Sequence, residues 1–402
     1  MTRLIKSSSS EKLIIDKDFK LMRNVIDVVI VGGGPIGLKV AQITAHSGLD
    51  TVVLEDKPVI GKPVQCAGLV SKKVIKMTDT ESVIAEPTCA NIHPPNEVPL
   101  RIDTDEKKVA IIDRATFDKE MAAKANNSGV DIRLNSKFNG KNSNGKVSYT
   151  QDSERHTLDS KIIVGADGPG STVRRSAGLP KPEETIPAVQ AIVPEKIEDV
   201  RIYLGSDIAP GFFAWQVPFT TGSLFGLAST DGNAYEHLNN LLDSKGLNNK
   251  VVGILSGSIP IGLITPMVQD GIVLVGDAAG QVKPLSGGGV YTGLKAAEIC
   301  GETIIKSLEE RDTSKEFLMR YQDEFFDGVG KEIKRGLKIR KVFKGLSDDE
   351  FDKLISSLQK DKIKRIIENQ GDIDHPSKLV KPIVKASPSL LKFLGPVIKS
   401  LL

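Results

Sequence analysis

Ile26 to Val31 forms an apolar run, with Asp27 its one polar member, as expected of a strand buried in a parallel sheet. Glycines follow. Leu38, Ala41 and Ala45 then recur at helical spacing, and a second strand, Thr51 to Leu54, ends in Glu55. That order is a βαβ unit. Strand KKVAIID, a helix from Arg114 to Asn126 and strand KIIVGADG continue the alternation. From about residue 181 to 265 the character changes. AVQAIV, VRIYL, FFAWQV and LFGLAS are short β-prone runs separated by Pro, Gly and Ser, which predicts an inserted antiparallel sheet. GIVLVGDAAG then returns to the strand-and-glycine pattern, before a helix from about Gly289 to Leu308. The reading is an α/β chain in three parts: residues 22–180 with 266–313, an insert at 181–265, and a helical, charge-rich region at 314–402. Residues 1–21 read as a disordered extension, and Met22, just before the first strand, is a candidate start.

Composition changes this picture in two places. Of 402 residues, 40% are hydrophobic and 26% charged, which is ordinary for a globular chain. No run reaches ~18 apolar residues, so a spanning helix is not expected. Cys66, Cys89 and Cys300 are odd in number and far apart. They match no zinc or iron–sulfur spacing, so no metal is expected, and they fit a reducing cytoplasm. The net charge of +3 hides an asymmetry: residues 331–402 carry 17 Lys or Arg against 9 Asp or Glu, leaving the rest at −5. A basic C-terminal region implies an anionic partner. It lacks interleaved aromatics and nucleic-acid motifs, so an anionic membrane surface touched peripherally is expected rather than nucleic acid. Within SPSLLKFLGPVIKSLL, Leu390, Leu391, Leu394, Val397, Ile398 and Leu401 fall at helical spacing, with Lys392 and Lys399 opposite. That helix either docks on the protein's own core or lies on lipid.

Gly32-x-Gly34-x-x-Gly37, with Ile36 inside it, follows the first strand and opens the first helix. Its glycines permit a tight turn and let backbone amides approach a pyrophosphate at a helix N-terminus. Glu55, 18 residues beyond Gly37, stands where a carboxylate accepts hydrogen bonds from an adenosine ribose. This constellation indicates a dinucleotide without choosing between NAD and FAD.

Two later segments make that choice. GADGPGSTVR (Gly165 to Arg174) and LVGDAAGQVKPLSGGGV (Leu274 to Val290) resemble segments of the superfamily of group-A flavoprotein monooxygenases and geranylgeranyl reductases. The resemblance implies FAD on a Rossmann-like domain, with Asp167 and Asp277 at the cofactor and Asp277 on the ribityl chain. The helix starting near Gly289 would face the flavin N1–C2=O edge, where its dipole stabilises the charge of the reduced ring. Asp113-Arg114 also matches, and the arginine would contact a cofactor phosphate.

Pro63-Val64-Gln65-Cys66-Ala67-Gly68 and Gly287-Gly288-Gly289-Val290 point to the geranylgeranyl reductase branch and imply that both segments meet at the ring. Cys66 would touch cofactor or substrate there, as proton donor or as support for a carbocation-like centre. PGFFAWQVP (Pro210 to Pro218) is similar to the archaeal reductases' P-x-x-Y-x-W-x-F-P signature, departing at Phe213 and Val217. Phe213, Trp215 and Pro218 are thereby expected to line an isoprenoid cavity. The implied activity is FAD-dependent reduction of isolated C=C bonds in geranylgeranyl chains of archaeal membrane-lipid precursors, by hydride from reduced flavin N5. It requires an external electron donor, a ferredoxin or NAD(P)H, between which the sequence does not choose. A flavin monooxygenase and an electron-transfer-flavoprotein:quinone type of oxidoreductase would use the same glycine motifs and stay open as alternatives.

Overall fold

The computed structural model describes residues 25–394 except residue 143, so the expected extension at 1–21 and the end of the apolar tail lie outside the described residues. Ile26–Val31 becomes a central strand, pairing in parallel with Ser160–Gly165 on one side and Thr51–Leu54 on the other. Ile272–Leu274 and Asp131–Arg133 extend the parallel set, and Val268–Gln269 closes one edge antiparallel. Val28, Val29 and Ile30 are fully buried. Helix Pro35–His46 packs between Arg114–Asn127 and Val290–Glu309. Phe138, Val147 and Tyr149, from a three-stranded antiparallel sheet, enter the same core. A parallel strand needs cover on both faces, which is why its residues read as one apolar run.

The second sheet has seven strands, in the order Gly253–Ile261, Glu184–Val193, Gly222–Ala228, Ala214–Phe219, Val200–Tyr203, Cys89–His93 and Leu100–Asp103. Its last two strands correct the boundaries read from sequence, because they come from the segment assigned to the first unit. Cys89–His93 also runs parallel to Val200–Tyr203, so the sheet is mixed. A small sheet of Leu69–Ser71, Val109–Ile112 and Val83–Ala85 lies where the units meet, and Ile111 packs with Val217, Trp215 and Leu255 of the large sheet.

The C-terminal region is helical, and two of its helices, Gly330–Phe343 and Asp348–Leu358, lie against the large sheet. Leu337 of the former packs with Ile186 and Ile261, and Ile355 of the latter with Leu100. Ser347 and Glu350 close a reciprocal capping box at the start of Asp348–Leu358. In the tail, Leu390 and Phe393 pack on Ile363 and its neighbours, while Leu391 is exposed. The first part of that segment therefore docks on the protein itself, and residues 395–402 lie outside the described residues.

One buried ion pair ties this region to the first unit. Lys283 Nζ donates to Asp374 Oδ1 at 2.8 Å and to the Ile373 carbonyl at 3.0 Å. Asp374 Oδ2 finds no hydrogen bond, and the next cation, Lys73, stands 3.9 Å away. Removing one partner of such a pair leaves an uncompensated buried charge. Lys283→Met should therefore lower unfolding stability by about 3–5 kcal/mol, and the double change Lys283→Met with Asp374→Leu should restore most of it. Urea unfolding of the parent and the two variants checks this; an unchanged midpoint for the single variant would show that the pair holds nothing.

Candidate active site

A cavity of about 550 Å³ opens over the carboxyl ends of the parallel strands, where an open α/β sheet binds its ligand. It is lined by the Gly32–Ile36 turn, Glu55, Arg114, the Ala166–Gly170 turn, Asp277 and part of the Gly287–Val290 segment. The fingerprint glycines have separate duties. Gly32 has φ +109°, and a Cβ there would run into the Ala166 carbonyl. A Cβ on Gly37 would strike the Gly32 carbonyl, so this glycine sets helix–strand packing and does not line the cavity. A Cβ on Gly34 would meet nothing. Gly34 caps helix Pro35–His46 without a side-chain bond, which leaves first-turn N–H groups for an anion.

Glu55 is fixed in place by the glycine turn and by its own turn. Its Oε2 accepts from Gly33 N at 2.6 Å and its Oε1 from Lys57 N at 2.9 Å. Burial, with Asp56 beside it, holds its carboxyl above the usual range. Asp167 also lines the cavity, but its carboxylate caps the next helix, accepting from Ser171 Oγ at 2.5 Å and from the Thr172 and Val173 amides. Its part is to shape the turn.

Asp277 differs. Among the described residues no donor reaches its carboxylate, which opens onto the cavity. Burial pushes its carboxyl up to about 6, against the opposing charge of Arg114. A buried polar group without a partner is costly in the free protein and is satisfied by a ligand that donates to it. A hydroxylated chain beside Asp277 supplies such donors, as the ribityl chain of a flavin does. Helix Val290–Glu309 starts at the same place, with Gly289 as its N-cap and no side-chain bond.

Arg114 forks onto Asp118, with bonds of 3.0–3.2 Å. Burial pulls its guanidinium down, but Asp118 and the Cys66 sulfur hold it above the ordinary arginine range. Cys66 Sγ accepts from Gly68 N at 3.4 Å, and Cys66 lines the cavity together with Gly287, Gly289 and Val290. The two segments expected to meet do border one space. Ala67, Gly68 and Gly288 do not line it; Gly68, at φ +78° against the Ile112 carbonyl, shapes the loop that presents Cys66.

A second cavity, of about 520 Å³, lies near the first and is walled largely by apolar side chains: Ile202 from the large sheet, Leu204, Phe212 and Phe213 from the connection between its strands Val200–Tyr203 and Ala214–Phe219, and Ile333 and Phe351 from the helical region. Gly287, which lines the first cavity, lies close to both walls. A Cβ there would lie 2.9 Å from Ile259, which lines the first cavity, and 3.3 Å from Phe212, which lines the second. Of the three residues expected to line an apolar slot, Phe213 does and the others do not. Trp215 stands behind it, edge-on to Phe213 with ring centroids 5.9 Å apart, and wedged over Gly226. Pro218 is buried further along the strand, opposite Ser223. A motif read along a strand spreads its residues over more than 3 Å each, so one cavity does not reach them all. Sequence reasoning missed Ser258, Ile259 and Pro260, which line the first cavity within an unremarkable β run, and the helices that wall the second.

The family model of an FAD-binding domain matches residues 25–201. A digeranylgeranylglycerophospholipid reductase of Methanopyrus kandleri is 31% identical over 93% of this chain and 99% of its own length. That of Methanothermobacter thermautotrophicus is 32% identical over 92% and 99%. The crystal structure of a geranylgeranyl bacteriochlorophyll reductase-like protein from Thermoplasma acidophilum superposes with a TM-score of 0.83 at 25% identity, covering 94% of this chain and 100% of that one. A flavin-dependent brominase, at 17% identity and TM-score 0.69, shares the fold alone.

The double-cavity α/β architecture and these matches define an FAD-dependent oxidoreductase. Within that class, the chain belongs to the digeranylgeranylglycerophospholipid reductase family. No helix among the described residues is long and apolar enough to cross a membrane.

Proposed function

We propose that this chain saturates isolated C=C bonds in the geranylgeranyl chains of an archaeal phospholipid or its glycerophosphate precursor. The observation that carries the reading is the neighbourhood of Gly287, where a residue without a side chain that lines the cavity built for a dinucleotide stands beside Phe212, which lines the apolar one. The names of the relatives support the substrate class.

The first-turn amides after Gly34 would hold the pyrophosphate, Glu55 the adenosine ribose, Asp277 the ribityl chain, and the Val290 helix end the edge of the ring. Reduced FAD supplies two electrons as a hydride, which an unactivated alkene needs. Such an alkene offers no carbonyl to polarise, so the protein works by placing it and keeping water away. Phe212 and Phe213, stacked with centroids 4.5 Å apart, make that end of the slot rigid and apolar. Cys66, which lines the dinucleotide cavity near the Arg114 guanidinium, would be the group to give a proton to the second alkene carbon if the tail reaches from the apolar cavity to that side.

Cys66→Ala should lower kcat for lipid reduction by about 10²-fold, within the range for a lost general acid, with FAD content unchanged. An unaltered kcat would remove Cys66 from the chemistry. The reading itself is tested anaerobically: flavin reduced with dithionite should be reoxidised by a geranylgeranyl phospholipid, with saturated product by mass spectrometry. Reoxidation by oxygen alone, with a hydroxylated product, would favour a monooxygenase.

A further inference from the structure

Helix Gly330–Phe343 presents two unlike faces. Inward, Ile333, Gly336 and Phe343 wall the apolar cavity. Outward, six residues are exposed: five are the cations Lys331, Lys334, Arg335, Lys338 and Lys341, and the sixth is Phe343. The five recur at helical spacing along one stripe. Lys331 has a distant partner in Asp327, at 3.4 Å on an exposed pair, and Lys334 lies over the Phe326 ring. Arg335, Lys338 and Lys341 have no carboxylate within ion-pair distance among the described residues. The helix's one acid, Glu332, is buried and accepts from Ser377. The turn Pro376–Leu379, packed against this helix, adds exposed Lys378, and the short helix Val380–Ala386 that follows it adds exposed Lys381 and Lys385.

A face kept only for solubility carries both signs interspersed. This one carries a single sign, with an exposed aromatic at its end. Phe343 borders the cavity and is also 36% exposed, so the stripe ends at that cavity's mouth. We propose that the outer face of helix Gly330–Phe343 docks the protein on an anionic lipid surface and brings the mouth of the apolar cavity against it. The cations lie at headgroup level, where each adds to the attraction for a negatively charged leaflet, and Phe343 enters the interface. The inference rests on the lipid-reductase reading, because an entrance for lipid tails is what gives the docked orientation a purpose. An acidic electron-carrier protein is the competing occupant. The exposed aromatic at the cavity mouth favours lipid, since an electron carrier gains nothing from reaching the apolar cavity.

The test uses the full chain loaded with FAD and a triple variant, Arg335→Glu, Lys338→Glu and Lys341→Glu. Sedimentation with phosphatidylglycerol vesicles should be strong for the parent, absent with phosphatidylcholine, and weakened at least about 100-fold in the triple variant. Phe343→Ser should weaken it further in a charge-neutral way, which separates docking from non-specific charge effects. Lys245→Glu with Lys250→Glu, exposed cations at the end of helix Ala234–Ser244 and in the turn after it, should change nothing. Lipid dispersed in detergent should be reduced equally by parent and triple variant, whereas vesicle-borne lipid should be reduced only by the parent. Parent protein that ignores anionic vesicles, or a triple variant that binds them as well as the parent, overturns the proposal. So does slower flavin reduction by an acidic carrier protein with vesicle binding intact. Vesicle binding as expected with no reduction in detergent would leave the docking face standing and defeat the lipid-reductase reading.

Discussion

Asp277→Asn should stabilise the FAD-free protein while weakening its hold on FAD. In the folded chain burial raises the carboxyl from 3.8 to about 6, with Arg114 pulling the other way. Below about pH 3 the group is protonated folded or unfolded and makes no difference. As the pH rises toward 6, the unfolded chain releases its proton and the folded chain does not, so folding stability falls. Above that window the loss levels off, at most about 3 kcal/mol from the usual 1.4 kcal/mol per unit. The carboxylate opens onto the cavity, where water screens it, and this figure is therefore a ceiling. Asparagine carries no charge, so the FAD-free variant should be more stable than the parent at pH 7.5, with the gap closing toward about pH 3. FAD should bind about 10–100-fold more weakly, since a charge-assisted hydrogen bond contributes about 1.5–3 kcal/mol. Thermal unfolding at the two pH values and fluorescence titration with FAD measure both effects. An FAD-free variant no more stable than its parent at pH 7.5 would mean that Asp277 already has its partner within the protein.

Phe213→Glu should remove lipid reduction and leave the flavin in place. Phe213 lines the apolar cavity and does not border the dinucleotide cavity. A carboxylate there must either strip its water or keep water in the slot, and an unpaired polar group in an apolar setting costs several kcal/mol. The expected loss in kcat/KM is at least about 10²-fold, with the visible flavin spectrum unchanged. Phe213→Leu, which keeps an apolar wall of smaller volume, should lose far less. Equal losses for the two variants would mean that the ring's shape, and not the dryness of the slot, is what matters.

The dinucleotide half of the site was legible because its signals are local. The strand Ile26–Val31, its glycine turn, the following helix and Glu55 stand within thirty residues, and each has one physical reason to be there. Asp277 and the Val290 helix end were reached only through resemblance, since a carboxylate before a glycine turn is as often a cap; Asp167 turned out to be one. The apolar half was legible only in part. Phe213 lies in a recognisable segment, but which aromatic faces the cavity depends on where the strand Ala214–Phe219 begins, and Trp215 ended behind it. The pairing of Cys89–His93 with Val200–Tyr203 joins residues over a hundred positions apart, which no local pattern encodes. In the helical region the charge asymmetry was visible as an anionic-partner signal. That Ile333 and Phe343 wall a cavity was not, because apolar residues at helical spacing read the same whether they meet a core or an empty slot.

The proposed chemistry has one spatial requirement: a flavin ring in the first cavity must face a lipid tail in the second across Gly287. A crystal structure of the FAD-loaded protein soaked with a geranylgeranyl phospholipid addresses it directly. The expected result is an isoprenoid chain between Phe213 and Ile333, with one double bond in van der Waals contact with the ring. A tail bound elsewhere, or a ring turned away from Gly287 toward open solvent, would contradict the account.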